Sequence, residues 1–350
     1  MRRAALALPG LLAALLGAGC FPARYLAQAA CGEYQLLRSA RPIPSVVAEG
    51  TVSGKVARLL LSVHAVKAFG RAHGLAPTRS YERYGDLHRA AAVWVVQGSQ
   101  PLSFEARRWS LPLVGTVPYL GWFDRAAAER YGAALAEREG LDVDVRGAAA
   151  FSTLGWLGDP VLSTMVRRGD DALGELVNTV LHESVHATLY VKDQSAFDES
   201  LASFVADRLT PVWLAEKVGA DAPEARAWIA AEAAYRARVE RLHRAYLDLD
   251  AVYGSDESDA YKRAEKARLL SALREELHVE GTLNNATLMG YVTYDTGAPS
   301  FERLLGACGG SWPRFMKALA PLADGGFERP QQADFGGVVD RIARAGCAEQ

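Results

Sequence analysis

The stretch LHESVHATLY, residues 181–190, limits this chain more than any other. It places His182 and His186 four residues apart, with Glu183 directly after the first. On an α-helix, positions four apart share a face about one turn apart, so both imidazoles can aim a nitrogen at one point. Tetrahedral zinc requires such convergence. Glu183 falls roughly 100° around the helix, badly placed to join the same ion but able to reach a water held by it. Leu173, Leu176, Val177, Val180, Leu181, Val185 and Leu189 recur at helical spacing, and Asp170 after Gly169 is the expected N-cap. Two histidines and a glutamate in an apolar helix need partners, because unpaired polar groups are costly to bury. The alternative to a metal is a pair of core histidines satisfied by hydrogen bonds.

Catalytic zinc usually takes three protein ligands and keeps one position open. The third ligand is expected in SAFDESLASFVADRL, residues 195–209. Lys192, Asp193 and Gln194 form a polar break, after which Ser195 can cap a new helix with Asp198 at its N3 position. Leu201, Phe204, Val205 and Leu209 mark that helix's packed side. Twelve residues separate His186 from Glu199, a length that lets a tight helix–turn–helix return Glu199 to the histidines. Asp198 is the competing ligand. Both acids could instead be a solvated helix start, where the dipole favours them.

The rest of the chain reads as one α+β, predominantly helical body. Helices are expected at 24–41, 46–74 and 124–138, and strands at 91–97, 103–114 and 143–152. From 170 onward nearly everything reads as helix, including 221–250 and 257–278. A sheet-containing part, about 24–165, thus precedes a helical part, about 166–350, in one catalytic unit spanning 20–350. Half of the 350 residues are hydrophobic, enough for a large core, and the net charge of −2 leaves no electrostatic footprint for nucleic acid.

The amino end reads as an export signal over residues 1–19. MRR supplies positive charge, and AALALPGLLAALLGAG is an apolar run too short and glycine-broken for a stable membrane span. It ends in LLGAGC, which resembles the bacterial lipoprotein cleavage box with Cys20 lipidated, although Gly17 stands where Leu is usual. An ordinary signal peptide or an uncleaved anchor is the alternative. Export places the remaining cysteines in an oxidising compartment. Cys308 and Cys347 could pair, leaving Cys31 as a buried thiol in an apolar helical stretch.

H-E-x-x-H followed by a short spacer and an acid–Glu pair resembles the gluzincin, thermolysin-like metallopeptidases. More closely, the chain resembles a bacterial family of zinc aminopeptidases described as lipoproteins. The likeness runs through YLAQAACGEYQLLRSARPI (25–43), LPLVGTVPYLGWFD (111–124), FSTLGWLGDPVLS (151–163), NTVLHESVHATLYVKDQSAFDESLASFV (178–205) and NNATLMGYVTY (284–294). The family pattern often carries Asn where this chain has Asp198. The resemblance implies a gluzincin-like fold with a small sheet before the H-E-x-x-H helix, a peptide substrate, and an aminopeptidase rather than an endopeptidase. It also implies a second oxyanion donor on a downstream helix, for which Tyr294 is preferred and Tyr291 is the alternative. Localisation follows from the export signal and Cys20: the bacterial envelope, lipid-anchored and facing the periplasm.

The chemistry expected is hydrolysis with one Zn2+ per chain on His182, His186 and Glu199, and Glu183 as general base. Asp207 and Glu175, each two turns from a ligand, are candidates to orient an imidazole. Ala149–Ser152 is the expected edge for substrate backbone. Glu175 and Asp198 are among the acids that could hold a substrate α-ammonium group. Two other readings remain: an envelope endopeptidase of the same chemistry, and a non-catalytic zinc-containing binding or scaffold lipoprotein. The intact Glu183 favours catalysis, since a structural site does not need it.

Overall fold

Two hydrophobic periods divide the chain, and the computed structural model follows both. It describes residues 21–112, 115–150, 158–166, 169–292 and 297–347. Helix α1 (Phe21–Ser39) leads through strand β1 (Arg41–Pro42) into helices α2 (Ile43–Ala48) and α3 (Gly54–Ala72). Strands β2 (Arg83–Gly85), β3 (Val93–Ser99), β4 (Trp109–Leu111), β5 (Gly115–Val117) and β6 (Tyr119–Trp122) follow. Helix α4 (Arg125–Glu139) precedes strands β7 (Asp142–Ala148) and β8 (Val161–Leu162). Helices α5 (Ala172–Thr188), α6 (Ser195–Lys217), α7 (Pro223–Tyr253), α8 (Asp259–Glu276) and α9 (Asn285–Val292) come next. Helices α10 (Ala298–Ala307), α11 (Trp312–Leu319) and α12 (Gly336–Ala345) complete the described elements, with a 3-10 turn at Ala320–Asp324.

The sheet that matters for the site has the order β6–β3–β7, antiparallel throughout. Side chains alternate across its two faces. Val96 of β3, Leu120 of β6, and Val143 and Val145 of β7 cluster with Ala128 and Leu135 of α4. The opposite face therefore carries Gln97, Tyr119, Asp144 and Arg146, with Gln97 paired to Tyr119 on one side and to Asp144 on the other. The remaining strands form the small sheet β1–β2–β8 and the hairpin β4–β5.

The main core joins both parts of the chain. Leu36, Val63 and Val66 from the first helices share one buried cluster with Leu181, Val185, Phe197, Leu201, Phe301 and Phe335. Helix α5 lies at its centre, packed on α3, α6 and α7. The crossing with α7 needs a glycine: a Cβ at Gly174 would lie 2.6 Å from Trp228 Cβ. Among the described residues, no helix is long and apolar enough to cross a membrane.

Several local expectations are corrected. The helix expected at 46–74 is two, because the chain breaks after Ala48 and restarts where the Ser53 hydroxyl caps Val56 N–H at 3.4 Å. Of the strand expected at 103–114, the described residues form Trp109–Leu111, folded back on β5, and an isolated bridge from Ala106 to Ser99. Cys31 is exposed, not buried, because α1 buries Gly32, Glu33 and Leu36 and turns Cys31 outward. Cys308 and Cys347 are joined in a disulfide. The strand expected to run to Ser152 ends at Ala148, and the Ala149 carbonyl accepts the Thr164 hydroxyl at 2.5 Å instead. Strand β7, like β6, is an edge of the sheet; Ser152 lies outside the described residues, as do residues 1–20 with Cys20.

Candidate metal centre

His182 and His186 fall near the end of α5, one turn apart. Their rings meet edge to face at 4.8 Å, and their Nε2 atoms lie 3.2 Å apart. Across the turn to α6, Glu199 Oε2 lies 3.3 Å from His182 Nε2 and 3.8 Å from His186 Nε2. The three side chains can thus hold one metal ion. Among the described residues no fourth His, Cys, Asp or Glu joins them. The group is reachable, since His182 and Glu199 keep 18% and 20% of their side-chain surface exposed.

The turn, not a helix cap, sets this approach. Helix α6 starts without a side-chain cap, and neither does Asp170 cap α5, whose N-cap is Asp171 without a side-chain bond. Asp198 Oδ1 instead accepts Val191 N–H at 2.9 Å, tying the first turn of α6 back to the loop. Asp193 Oδ1 accepts Thr116 N–H at 2.5 Å, fastening that loop to β5. This contact requires glycine at 115, where φ is +94° and a Cβ would collide with the Asp193 carboxylate. The carboxyl-terminal segment grips the same turn. Gln331 N–H donates to Asp193 O at 2.6 Å, Gln194 Nε2 donates to Arg329 O at 2.8 Å, and Gln332 N–H donates to Gln194 Oε1 at 3.0 Å.

Charge accumulates around the imidazoles. Burial pushes the Glu199 carboxyl up, but hydrogen bonds from His182 and His186 outweigh it and hold the group well below the usual carboxylate range. Burial opposes charge on His186, yet the hydrogen bond and charge of Glu199, with Glu183 and Asp198, bring its pKa up to about 9. Burial pushes Asp198 up to about 7, against the Val191 N–H and His186. Three carboxylates around two imidazoles favour a cation at their centre. At this site, among the described residues, the buried atoms Glu183 Oε2, His186 Nδ1 and Asp198 Oδ2 have no hydrogen-bond partner. Further out, Asp207 Oδ1 accepts Asn178 Nδ2 at 2.9 Å. Burial and Glu232 raise the Asp207 carboxyl, and His182 is among the groups that pull it back. Glu175 sits half-buried nearer the start of α5.

The polar face of the main sheet closes one side of the centre. The Tyr119 hydroxyl donates to Glu199 Oε1 at 3.4 Å. Arg146 Nη1 donates to Asp144 Oδ2 at 2.7 Å and to Gln97 Oε1 at 3.1 Å. A cavity of about 130 Å3 opens here, bounded by Glu199, Tyr119, Gln97, Arg108 and Arg146. A larger cavity, about 550 Å3, lies among Lys55, Arg58, Trp213 and Lys217 and touches none of the three metal-binding side chains.

The sequence model of a protein family described as "Putative aminopeptidase" matches residues 24–333. The chain belongs to this family. The aminopeptidase-family match takes in His182, Glu183, His186 and Glu199, the polar sheet face and the segment that grips the turn. No curated protein and no solved structure matches the chain.

Of the residues expected at the site, His182, His186 and Glu199 converge, with Glu183 beside them and Asp198 and Asp207 around them. Tyr291 lies in α9, and Tyr294 lies outside the described residues. Sequence reasoning missed Tyr119, Arg108 and Arg146. The one signal for Arg146 was its alternation with Val143 and Val145, which puts it on the non-apolar face of an edge strand.

Proposed function

We propose that this chain is a zinc peptidase acting as an aminopeptidase, with residues 20–350 forming one catalytic unit of gluzincin-like architecture. The observation that carries the proposal is the triangle of His182, His186 and Glu199. Three ligand atoms 2.0–2.1 Å from one zinc at tetrahedral angles lie about 3.3 Å from each other. The edges here are 3.2, 3.3 and 3.8 Å. The open fourth position, judged on the described residues, favours catalysis over a closed structural site. One zinc per chain would supply an acidified water and polarise the scissile carbonyl.

Glu183 stands on the same helix with a buried, unpartnered carboxylate oxygen, so it can take the proton of the attacking water and return it to the leaving amine. Asp198 acts on His186 through charge and makes no hydrogen bond to it, since Asp198 Oδ2 and His186 Nδ1 are both buried and unpartnered. Tyr119 steadies Glu199 from the sheet. Tyr294 is the proposed oxyanion donor, on the family resemblance alone, with Tyr291 as its alternative.

Residues 1–19 are proposed as an export signal and Cys20 as a lipid anchor to the bacterial envelope, facing the periplasm. The Cys308–Cys347 disulfide supports an oxidising compartment.

The test is elemental analysis combined with paired peptides, each free and N-acetylated. One zinc per chain, and single-residue losses from free amino termini that acetylation blocks, are expected. Internal cuts indifferent to acetylation would convert the reading to an endopeptidase. No zinc after supplementation would overturn it.

A further inference from the structure

We propose that Arg108 and Arg146 make the cavity beside Glu199 a carboxylate-binding subsite, so that the preferred substrate carries a carboxylate next to the scissile bond. The placement relative to the bond rests on the peptidase reading; the anion site itself does not. The argument begins with sign. Among the described residues, the one acid lining this cavity is Glu199, whose Oε2 faces the two histidines. Two guanidiniums line the rest of its charged wall.

Arg146 is held in a fixed orientation. Asp144 and Gln97 take its Nη1 on the sheet side. On the other side the guanidinium lies flat against α9 at Gly290, where an added Cβ would come within 3.3 Å of Nη1 and 3.4 Å of Cζ. A guanidinium fixed in this way sets positive charge at a defined place in the cavity wall, beside Arg108. Asp144 offsets one positive charge. Arg108 adds another: it is exposed and has no carboxylate partner among the described residues. A substrate ammonium entering this cavity would face like charge, whereas a carboxylate would be drawn in.

Size narrows the class further. At about 130 Å3 the cavity is well below the 300–1,000 Å3 of sites that enclose whole small molecules. It suits a single side chain or a chain terminus. A peptide offers a carboxylate there from two sources: an acidic side chain beside the scissile bond, or the α-carboxylate of a dipeptide.

Four substrates separate these sources on the full, zinc-loaded chain: Glu-Ala-amide, Gln-Ala-amide, Ala-Ala and Ala-Ala-amide. At least one charged member should exceed its neutral partner in kcat/KM by roughly tenfold or more, as charge-assisted hydrogen bonds provide. A preference for Glu-Ala-amide assigns the side chain, and one for Ala-Ala assigns the terminus. Arg108→Gln, at an exposed position, should pull that ratio toward one, and Arg146→Gln should do the same. A second readout needs neither turnover nor metal: calorimetry of the metal-free chain should show glutarate binding over neutral glutaramide, weakened in Arg108→Gln. Peptide hydrolysis with both ratios near one and no glutarate preference would overturn the subsite and leave the peptidase intact. Glutarate selectivity that Arg108→Gln abolishes, in a chain that cleaves nothing, would keep the subsite and remove the peptidase reading.

Discussion

Tyr119 binds the oxygen of Glu199 that the histidines leave free. Its hydroxyl reaches Oε1 at 3.4 Å, while Oε2 faces His182 and His186. A strand residue thereby fixes the rotation of a carboxylate on a helix 80 positions later. Tyr119→Phe should keep the fold and lower metal affinity roughly tenfold or more, as losses around metal ligands do. Competition with a chelator of known affinity measures this; unchanged affinity would mean that the hydroxyl does not steady Glu199.

Glu183→Gln should retain the metal and lose hydrolysis by roughly a hundredfold or more, because the amide keeps the shape but cannot take a proton. Metal content and turnover measured on the same preparation check it. Near-native turnover would take the base role from Glu183.

Glu33 should make stability depend on pH. Burial, with Asp159 beside it, raises its carboxyl from 4.5 to about 7, and Oε2 has no hydrogen-bond partner. The folded state thus keeps a proton that the unfolded chain releases. Its stabilising effect is complete below pH 4.5 and is lost as pH rises to about 7. Glu33→Gln removes this loss, so the variant should gain up to roughly 3 kcal/mol over the parent at pH 8. The gain should shrink steadily toward pH 4.5. Urea melts at several pH values measure it, and a constant difference across the range would exclude Glu33 as the source.

Asp193→Ala should cost about 1–3 kcal/mol, since it leaves Thr116 N–H without its acceptor. It should also loosen metal binding, because the turn that delivers Glu199 loses its tie to β5. Gly115→Ala should act in the same direction through its positive φ and the collision with Asp193. Retention of full stability and metal affinity in both variants would show that the tie does not set the approach of α6.

Breaking the Cys308–Cys347 link, which closes a loop of 39 positions, should destabilise the chain by about 4 kcal/mol on chain-entropy grounds. Denaturant melts of the Cys308→Ser variant beside the parent test this; coincident midpoints would mean that the loop is ordered without the link.

What the sequence revealed follows the range of the interactions involved. The i, i+4 histidines and the packed faces of α5 and α6 are local patterns, so they could be read directly. The return of Glu199 needed only a short turn. By contrast, the groups that position this arrangement act over long separations: 77 residues from Thr116 to Asp193, 80 from Tyr119 to Glu199. No local period reports such contacts. The cap expected at Ser195 failed for the same reason. The Ser195 hydroxyl instead accepts Gln331 Nε2 at 3.3 Å, from 136 positions away.

The grip of residues 329–332 on the turn between α5 and α6 has a consequence for biogenesis. During synthesis both ligand-bearing helices emerge well before this grip exists, since Gln194 must wait 135 residues for Arg329. Until then the turn between α5 and α6 is held only by the earlier ties, from Asp193 to Thr116 of β5 and from Asp198 to Val191. The final stretch acts as a clasp that closes after the load is in place. A chain stopped before Gln332 would carry both histidines and Glu199 on a turn fastened to β5 but lacking its carboxyl-terminal hold.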